Sequence, residues 1–97
     1  MPTYVTLYNW TEQGIKNVKR SPDRIVANIK AAEAAGGKVQ GIYITMGDYD
    51  LVAISECPND ETAAAFALAQ ASQGFVRTKT LKAFTPQEFA AVVKKMP

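Results

Sequence analysis

The chain has 97 residues, 47% of them apolar and 21% charged, which is typical of a folded domain and excludes a disordered tail. Its formal net charge is +2 and its 11 Lys and Arg are interspersed with nine acids, which argues against nucleic-acid binding. Histidine is absent, which excludes His-based catalytic triads and His-ligated haem, and we expect one domain over residues 1–97.

The first half of the chain alternates strand and helix signals. Residues 3–10 are rich in β-branched and aromatic residues and predict the first strand. Thr11 predicts the cap of a short helix, and residues 21–23, Ser-Pro-Asp, repeat the cap signal, so the helical region should break just before them. Residues 25–32 follow helical spacing, and Gly36 is expected to end that helix.

The second half of the chain predicts a hairpin, a helix, a strand and a last helix. Residues 39–46 and 49–57 are strand candidates so close together that they should pair as an antiparallel hairpin. Between residues 58 and 74 the chain is rich in alanine, which favours a helix. Residues 75–84 predict the fourth strand, and residues 85–88, Thr-Pro-Gln-Glu, form a capping box that opens a short final helix.

This order predicts an α+β fold of ferredoxin-like βαββαβ type, with a four-stranded antiparallel sheet, helices on one face and a C-terminal helix. Both faces of the strands are apolar, since Val52 and Ile54 alternate with Leu51 and Ala53. One helix layer covers only one of these faces. We therefore expect a homodimer or higher homo-oligomer closed by sheet-on-sheet packing, with a pocket between sheet and helices or between subunits.

Three segments, YVTLYNWTEQGI, GGKVQGIYITMGDYDLVAI and FVRTKTLKAFTPQEF, together resemble the GYD domain family of small bacterial and archaeal proteins. The Gly, Tyr and Asp at the central turn of that family would be Gly47, Tyr49 and Asp50 here. The resemblance runs from Tyr4 to about Val93. It implies a ferredoxin-like fold akin to the dimeric α/β barrel proteins, and it brings no established activity.

The segment Gly47-Asp48-Tyr49-Asp50 places two carboxylates beside a phenol, a combination that can supply a general base. Alternation along a strand, however, points Tyr49 and Asp50 to opposite faces. The favoured interpretation is a hairpin turn, in which Asp50 caps backbone groups or pairs across the hairpin.

Six residues are candidates for a ligand pocket. Some cofactor-independent monooxygenases of the dimeric α/β barrel type use Asn, Trp, Tyr and Arg in a pocket, where an amide and an aromatic wall orient an apolar ligand. This chain offers similar residue types at Tyr8, Asn9, Trp10, Tyr49, Asp50 and Arg77. The competing interpretation places Trp10 at a subunit interface and uses Asn9 to cap the next helix.

Two cationic residues, Arg77 and Lys79, share one face of the predicted fourth strand. They could bind a carboxylate or phosphate on a ligand, protect an exposed edge strand from unwanted pairing, or form an ion pair between subunits.

Cys57 is the only cysteine, which excludes an internal disulfide and a Cys-rich zinc site, and we expect an unreactive thiol in a reducing cytoplasm. No phosphate-binding loop, dinucleotide-binding glycine pattern or zinc spacing occurs, so we predict neither a cofactor nor a metal. The amino-terminal MPTYVTLYNW is unlike a signal peptide, and no apolar run is long enough to cross a bilayer. The expected location is the cytoplasm.

Three functions remain open at this point. The favoured one is an oligomeric module that binds a small molecule or a partner protein, because no convincing catalytic set is present. The alternative is a cofactor-independent enzyme, monooxygenase or isomerase-like, acting on an apolar or aromatic small molecule. A third is a structural component of an assembly. The sequence assigns no catalytic residue.

Overall fold

The computed structural model describes residues 1–97 and contains the predicted elements in the predicted order. A short 3₁₀ turn, Val18–Arg20, connects the first two helices and forms the expected break. The four strands and four helices are β1 Thr3–Trp10, α1 Glu12–Lys16, α2 Ser21–Ala34, β2 Lys38–Ile44, β3 Leu51–Glu56, α3 Asp60–Ser72, β4 Val76–Ala83 and α4 Pro86–Val93.

The four strands form one antiparallel sheet in the order β2-β3-β1-β4. Strand β1 lies in the centre, where Thr3 pairs with Glu56 of β3 on one side and with Ala83 of β4 on the other. This is the ferredoxin-like arrangement, and the predicted fold class is confirmed. Strand β4 is an edge strand, as is β2.

Local sequence signals fix the helix ends. The Thr11 side chain accepts a backbone N–H of α1 at 3.0 Å, and Asn59 caps α3 in the same way at 2.8 Å. Thr85 and Glu88 form the predicted capping box of α4, with each side chain accepting the other's backbone N–H. These bonds satisfy N–H groups that have no partner inside the helix.

Helices α2 and α3 lie on one face of the sheet, along β2 and β4 respectively. The residues of this helix-covered face include the most buried apolar side chains of the chain, Tyr4, Leu51 and Ala53, which are 4 to 6% exposed. Burial of apolar surface here supplies the main stabilisation of the fold.

The opposite face, which we call the open sheet face, has no helix over it. Its centre carries half-buried aliphatic residues of β1 and β3, and its two edge strands carry exposed apolar residues. Tyr43 on β2 is 59% exposed and Leu81 on β4 is 52% exposed. The apolar side chains of the open sheet face are Val5, Leu7, Tyr43, Val52, Ile54 and Leu81.

Helix α4 has little contact with the rest of the chain. Its apolar residues Phe89, Val92 and Val93 are spaced for one helix face and remain 42 to 58% exposed. The radius of gyration is 14.6 Å, whereas a compact domain of this length has about 12.5 Å. An eight-residue helix is marginal alone in water, and the rest of the chain supplies little packing surface for α4.

Candidate functional site

The Gly47-Asp48-Tyr49-Asp50 segment is the turn between β2 and β3, and two hydrogen bonds from Thr45 close it. The Thr45 N–H donates to the Asp50 carbonyl at 2.8 Å, and the Thr45 hydroxyl donates to the Tyr49 carbonyl at 2.5 Å. Gly47 has a φ of +126°, a conformation that side chains rarely allow. Glycine is therefore required at this position by the shape of the turn.

Asp50 connects this turn to the end of β1. Its carboxylate Oδ2 accepts the Trp10 backbone N–H at 2.9 Å, and its own N–H donates to the Tyr8 carbonyl at 2.9 Å. These bonds hold Trp10 in place and engage the carboxylate with a backbone donor. Asp50 thus acts as a positioning residue for β1 in this geometry.

Tyr49 precedes strand β3, which begins at Leu51, so strand alternation does not decide the direction of its side chain. Its ring lies near Lys79 of β4, whose Nζ is 5.4 Å from the ring centroid and 3.4 Å from the phenol oxygen. The pair joins the turn to the edge strand beside the open sheet face. An exposed cation–π contact of this kind contributes about 0.5–1 kcal/mol.

The six predicted pocket residues lie on different sides of the sheet. Tyr8 and Trp10 line a cavity on the helix-covered face. Asn9 and Arg77 are paired across β1 and β4 on the opposite face, since Asn9 lies between Tyr8 and Trp10 in the strand. Tyr49 is on that same side. The structure does not bring all six into one pocket, and their roles in binding stay predictions.

Two adjoining cavities lie between the sheet and the helices α2 and α3. The first, the Cys57 cavity, has a volume of about 50 Å³, and the second, the Arg24 cavity, has about 60 Å³. A water needs about 10–15 Å³ by this measure, so each cavity has room for roughly four. Their shared wall consists of Tyr8, Asn28, Ile42 and Gln70.

The polar groups of this shared wall are neutral. The Tyr8 hydroxyl donates to Gln70 Oε1 at 3.0 Å, and the Gln70 side chain belongs to a residue only 7% exposed. Burial raises the pKa of Tyr8, so its hydroxyl keeps its proton at neutral pH. Tyr8 is therefore a hydrogen-bond donor here rather than a base.

The surroundings of two further groups at the Cys57 cavity, the Cys57 thiol and the Tyr4 hydroxyl, raise their pKa values. Burial raises the pKa of the Cys57 thiol, and a protonated thiol is a weak nucleophile. The Tyr4 hydroxyl donates to Asp60, which raises the pKa of Tyr4 to about 12. The same bond, together with Lys82 at 3.3 Å, lowers the pKa of Asp60.

Sequence reasoning missed three cavity residues, Arg24, Asn28 and Gln70. Arg24 and Asn28 are four residues apart on α2 and therefore share a face of that helix. Gln70 is the one polar residue between Thr62 and Ser72 in an alanine-rich helix. The sequence carries these two patterns, but only the fold shows that all three side chains line the same cavity.

No group of three or more His, Cys, Asp or Glu side chains is placed to hold a metal ion. None of the helices has both the length and the apolar character required to cross a membrane.

Comparison with known proteins confirms the resemblance noted in the sequence. The sequence profile of the GYD domain matches residues 4–93. The chain is also similar to a Thermus thermophilus protein named glutamine synthetase and cystathionine beta-lyase binding protein, with 33% identity over 95 residues. That alignment covers 97% of this chain and 100% of the relative. This chain belongs to the GYD domain family.

Proposed function

We propose that this protein is a homodimeric binding protein that attaches to an enzyme in the cytoplasm. The observation that carries this proposal is the amount of apolar surface that the chain leaves uncovered on the open sheet face and on α4. Contiguous apolar patches larger than a few hundred Å² mark interaction sites on soluble proteins. The relative from Thermus thermophilus, named for binding two enzymes, supports an enzyme as the partner.

Two copies of the chain would meet through the open sheet face. Four strands about 4.8 Å apart and about seven residues long present a footprint of roughly 440 Å². A stable interface buries about 800 Å² on each partner, so the sheet alone is too small. Helix α4, with Phe89 and Val93 exposed, supplies the additional apolar surface if it packs on the second copy.

Binding rather than catalysis is supported by the chemistry of the cavity walls. Burial raises the pKa of both Tyr8 and Cys57, so neither offers a base or a thiolate near neutral pH. The Asp50 carboxylate is bonded to the Trp10 N–H. The cofactor-independent enzyme considered from the sequence would need a base that these residues do not provide.

The dimer is tested by light scattering during gel filtration at micromolar protein concentration. We expect twice the chain mass of 10.5 kDa. A single-chain mass under these conditions would overturn the proposed dimer.

The enzyme partner is tested by native mass spectrometry of the purified protein mixed with glutamine synthetase, and separately with cystathionine β-lyase, from the same cell. We expect a complex of fixed stoichiometry with at least one of the two. The matched control is the Ile54→Asp variant, which is expected to lose the dimer and with it the paired arrangement that an oligomeric enzyme would contact. Absence of a complex with both enzymes at micromolar concentration would overturn the proposed partner.

A further inference from the structure

Arg24 is held in a fixed orientation at the wall of the Arg24 cavity. Its guanidinium carbon lies 4.2 Å from the centroid of the Phe75 ring. Its Nη2 donates to the Ser21 hydroxyl at 3.1 Å and to the Asn17 carbonyl at 3.2 Å. Because Ser21 is itself only 6% exposed, this arrangement fixes the cation against the cavity wall rather than leaving it mobile in water.

This cation has no acidic partner within the chain. The ion pairs of the structure are Lys16 with Glu12 and Lys82 with Asp60, and neither involves Arg24. The twelve residues that line the Arg24 cavity include no Asp or Glu. Both bonds of the guanidinium use Nη2, which leaves the Nη1 and Nε donors free to bind an anion.

The remainder of the cavity is mostly apolar and aromatic, and its other polar residues are the neutral Ser21, Asn28, Gln70 and Gln73. Trp10 and Phe75 provide flat walls, and Ile25 and Leu51 provide aliphatic ones. Beyond the shared wall, the Cys57 cavity continues the apolar lining with Phe66 and several small side chains of α3. One fixed cation in such a lining favours a singly charged anion with an apolar body over a strongly hydrated dianion such as phosphate.

We infer that the Arg24 cavity binds a small carboxylic acid with an apolar or aromatic body. The carboxylate accepts a charge-assisted hydrogen bond from one of the free donors of Arg24, Nη1 or Nε, since both bonds within the chain use Nη2. The body lies along Trp10 and extends past Asn28 into the adjoining Cys57 cavity, because the Arg24 cavity alone has room for only about four waters. This site is separate from the protein-binding surfaces proposed above and depends on neither of them.

Trp10 provides the readout, because it is the single tryptophan of the chain and lines this cavity. The test titrates the protein with phenylacetate while tryptophan fluorescence is measured, and repeats the titration with the neutral isostere phenylacetamide and with inorganic phosphate. We expect a saturable change with phenylacetate, and an affinity for phenylacetamide lower by roughly 10–100-fold, since the amide lacks the charge that Arg24 binds.

Variants separate the site from general charge effects. In Arg24→Gln the affinity for phenylacetate should fall by roughly 10–100-fold, and in Arg24→Lys by less, because the positive charge remains although the guanidinium donors are lost. Arg20→Gln is the matched control, since it removes the same charge from an exposed position outside the cavity and should leave binding unchanged.

The inference would be overturned by an unsaturable response to phenylacetate or by equal affinity for the acid and the amide. It would also be overturned if phosphate changed the fluorescence and phenylacetate did not. Equal binding by wild type and a folded Arg24→Gln variant would overturn it as well. If that variant does not fold, the comparison of acid with amide on the wild-type protein still decides the result.

Discussion

The two faces of the sheet are built from the same strands, but one lies beneath the helices and the other has no helix over it. On β3, Leu51 and Ala53 are 6% and 5% exposed beneath the helices, whereas their neighbours Val52 and Ile54 point to the open sheet face. The edge residues of that face, Tyr43 and Leu81, are more than half exposed. The difference arises from the neighbouring elements and not from the strands, because both faces have apolar composition.

Even the helix-covered face is incompletely packed. Only seven of the 97 residues are buried. The cavities under α2 and α3 account for the missing contacts on one side, and the open sheet face for those on the other. In the proposed dimer, a second copy would cover the open sheet face.

The strongest test of the comparison places the same charge on adjacent residues of β3. Ala53→Asp puts an unpaired carboxylate beneath the helices and should lower the free energy of unfolding by about 3–5 kcal/mol or prevent folding. Ile54→Asp puts it on the open sheet face and should yield a folded monomer. Urea unfolding and light scattering measure both. An Ile54→Asp protein that remains dimeric would show that the open sheet face is not the contact between copies.

A second test concerns α4. Phe89→Asp should weaken the dimer by roughly 10–100-fold, because an interface anchor contributes about 1–3 kcal/mol, while Gln87→Asp on the same helix should have little effect. Analytical ultracentrifugation gives both dissociation constants. Equal values for the two variants would mean that α4 does not pack on the second copy.

Smaller changes in the free energy of unfolding are expected for two tyrosines that lie on opposite faces of the sheet. Tyr8→Phe leaves the Gln70 oxygen without its donor in a buried place and should lower the free energy of unfolding by about 1–2 kcal/mol. Tyr43→Phe, at a position 59% exposed, should change it by less than about 0.5 kcal/mol. Urea unfolding of both variants in the Ile54→Asp background excludes effects of association. Equal losses would contradict the assignment of the Tyr8 bond.

The smallest expected effect on stability appears only at alkaline pH. The bond to Asp60 raises the pKa of Tyr4 from 10.0 to about 12, so the folded protein holds this proton more tightly than the unfolded chain. The resulting stabilisation is complete below pH 10.0 and is lost as the pH rises through about 12. Thermal unfolding should therefore show a steeper decline over this range in wild type than in Tyr4→Phe. Identical slopes would remove the proposed role of the bond.

Much of the fold could be predicted because its signals are local. The caps at Thr11 and Thr85, the break before Ser21 and the turn at Gly47 each depend on a few adjacent residues, and all four are present in the structure. The order of the elements then predicts the ferredoxin-like topology. Family membership followed from similarity over nearly the entire chain.

The candidate site could not be predicted in the same way. Tyr8, Asn9 and Trp10 are adjacent in sequence, which suggests one site, but strand β1 directs Asn9 to the face opposite Tyr8 and Trp10. Arg24 and Gln70, 46 positions apart, meet at one cavity because α2 and α3 lie side by side over the sheet. Sequence distance carries no information about such contacts.

The sequence by itself determined the order and type of the strands and helices, the class of fold, and the presence of more apolar strand surface than one layer of helices can cover. Tertiary structure alone decided which face is covered, that Asp50 binds the Trp10 N–H, and that Arg24 stands without an acid at an aromatic cavity. The physical reason is that capping and periodicity act over a few residues, whereas burial and charge pairing depend on every element packed nearby.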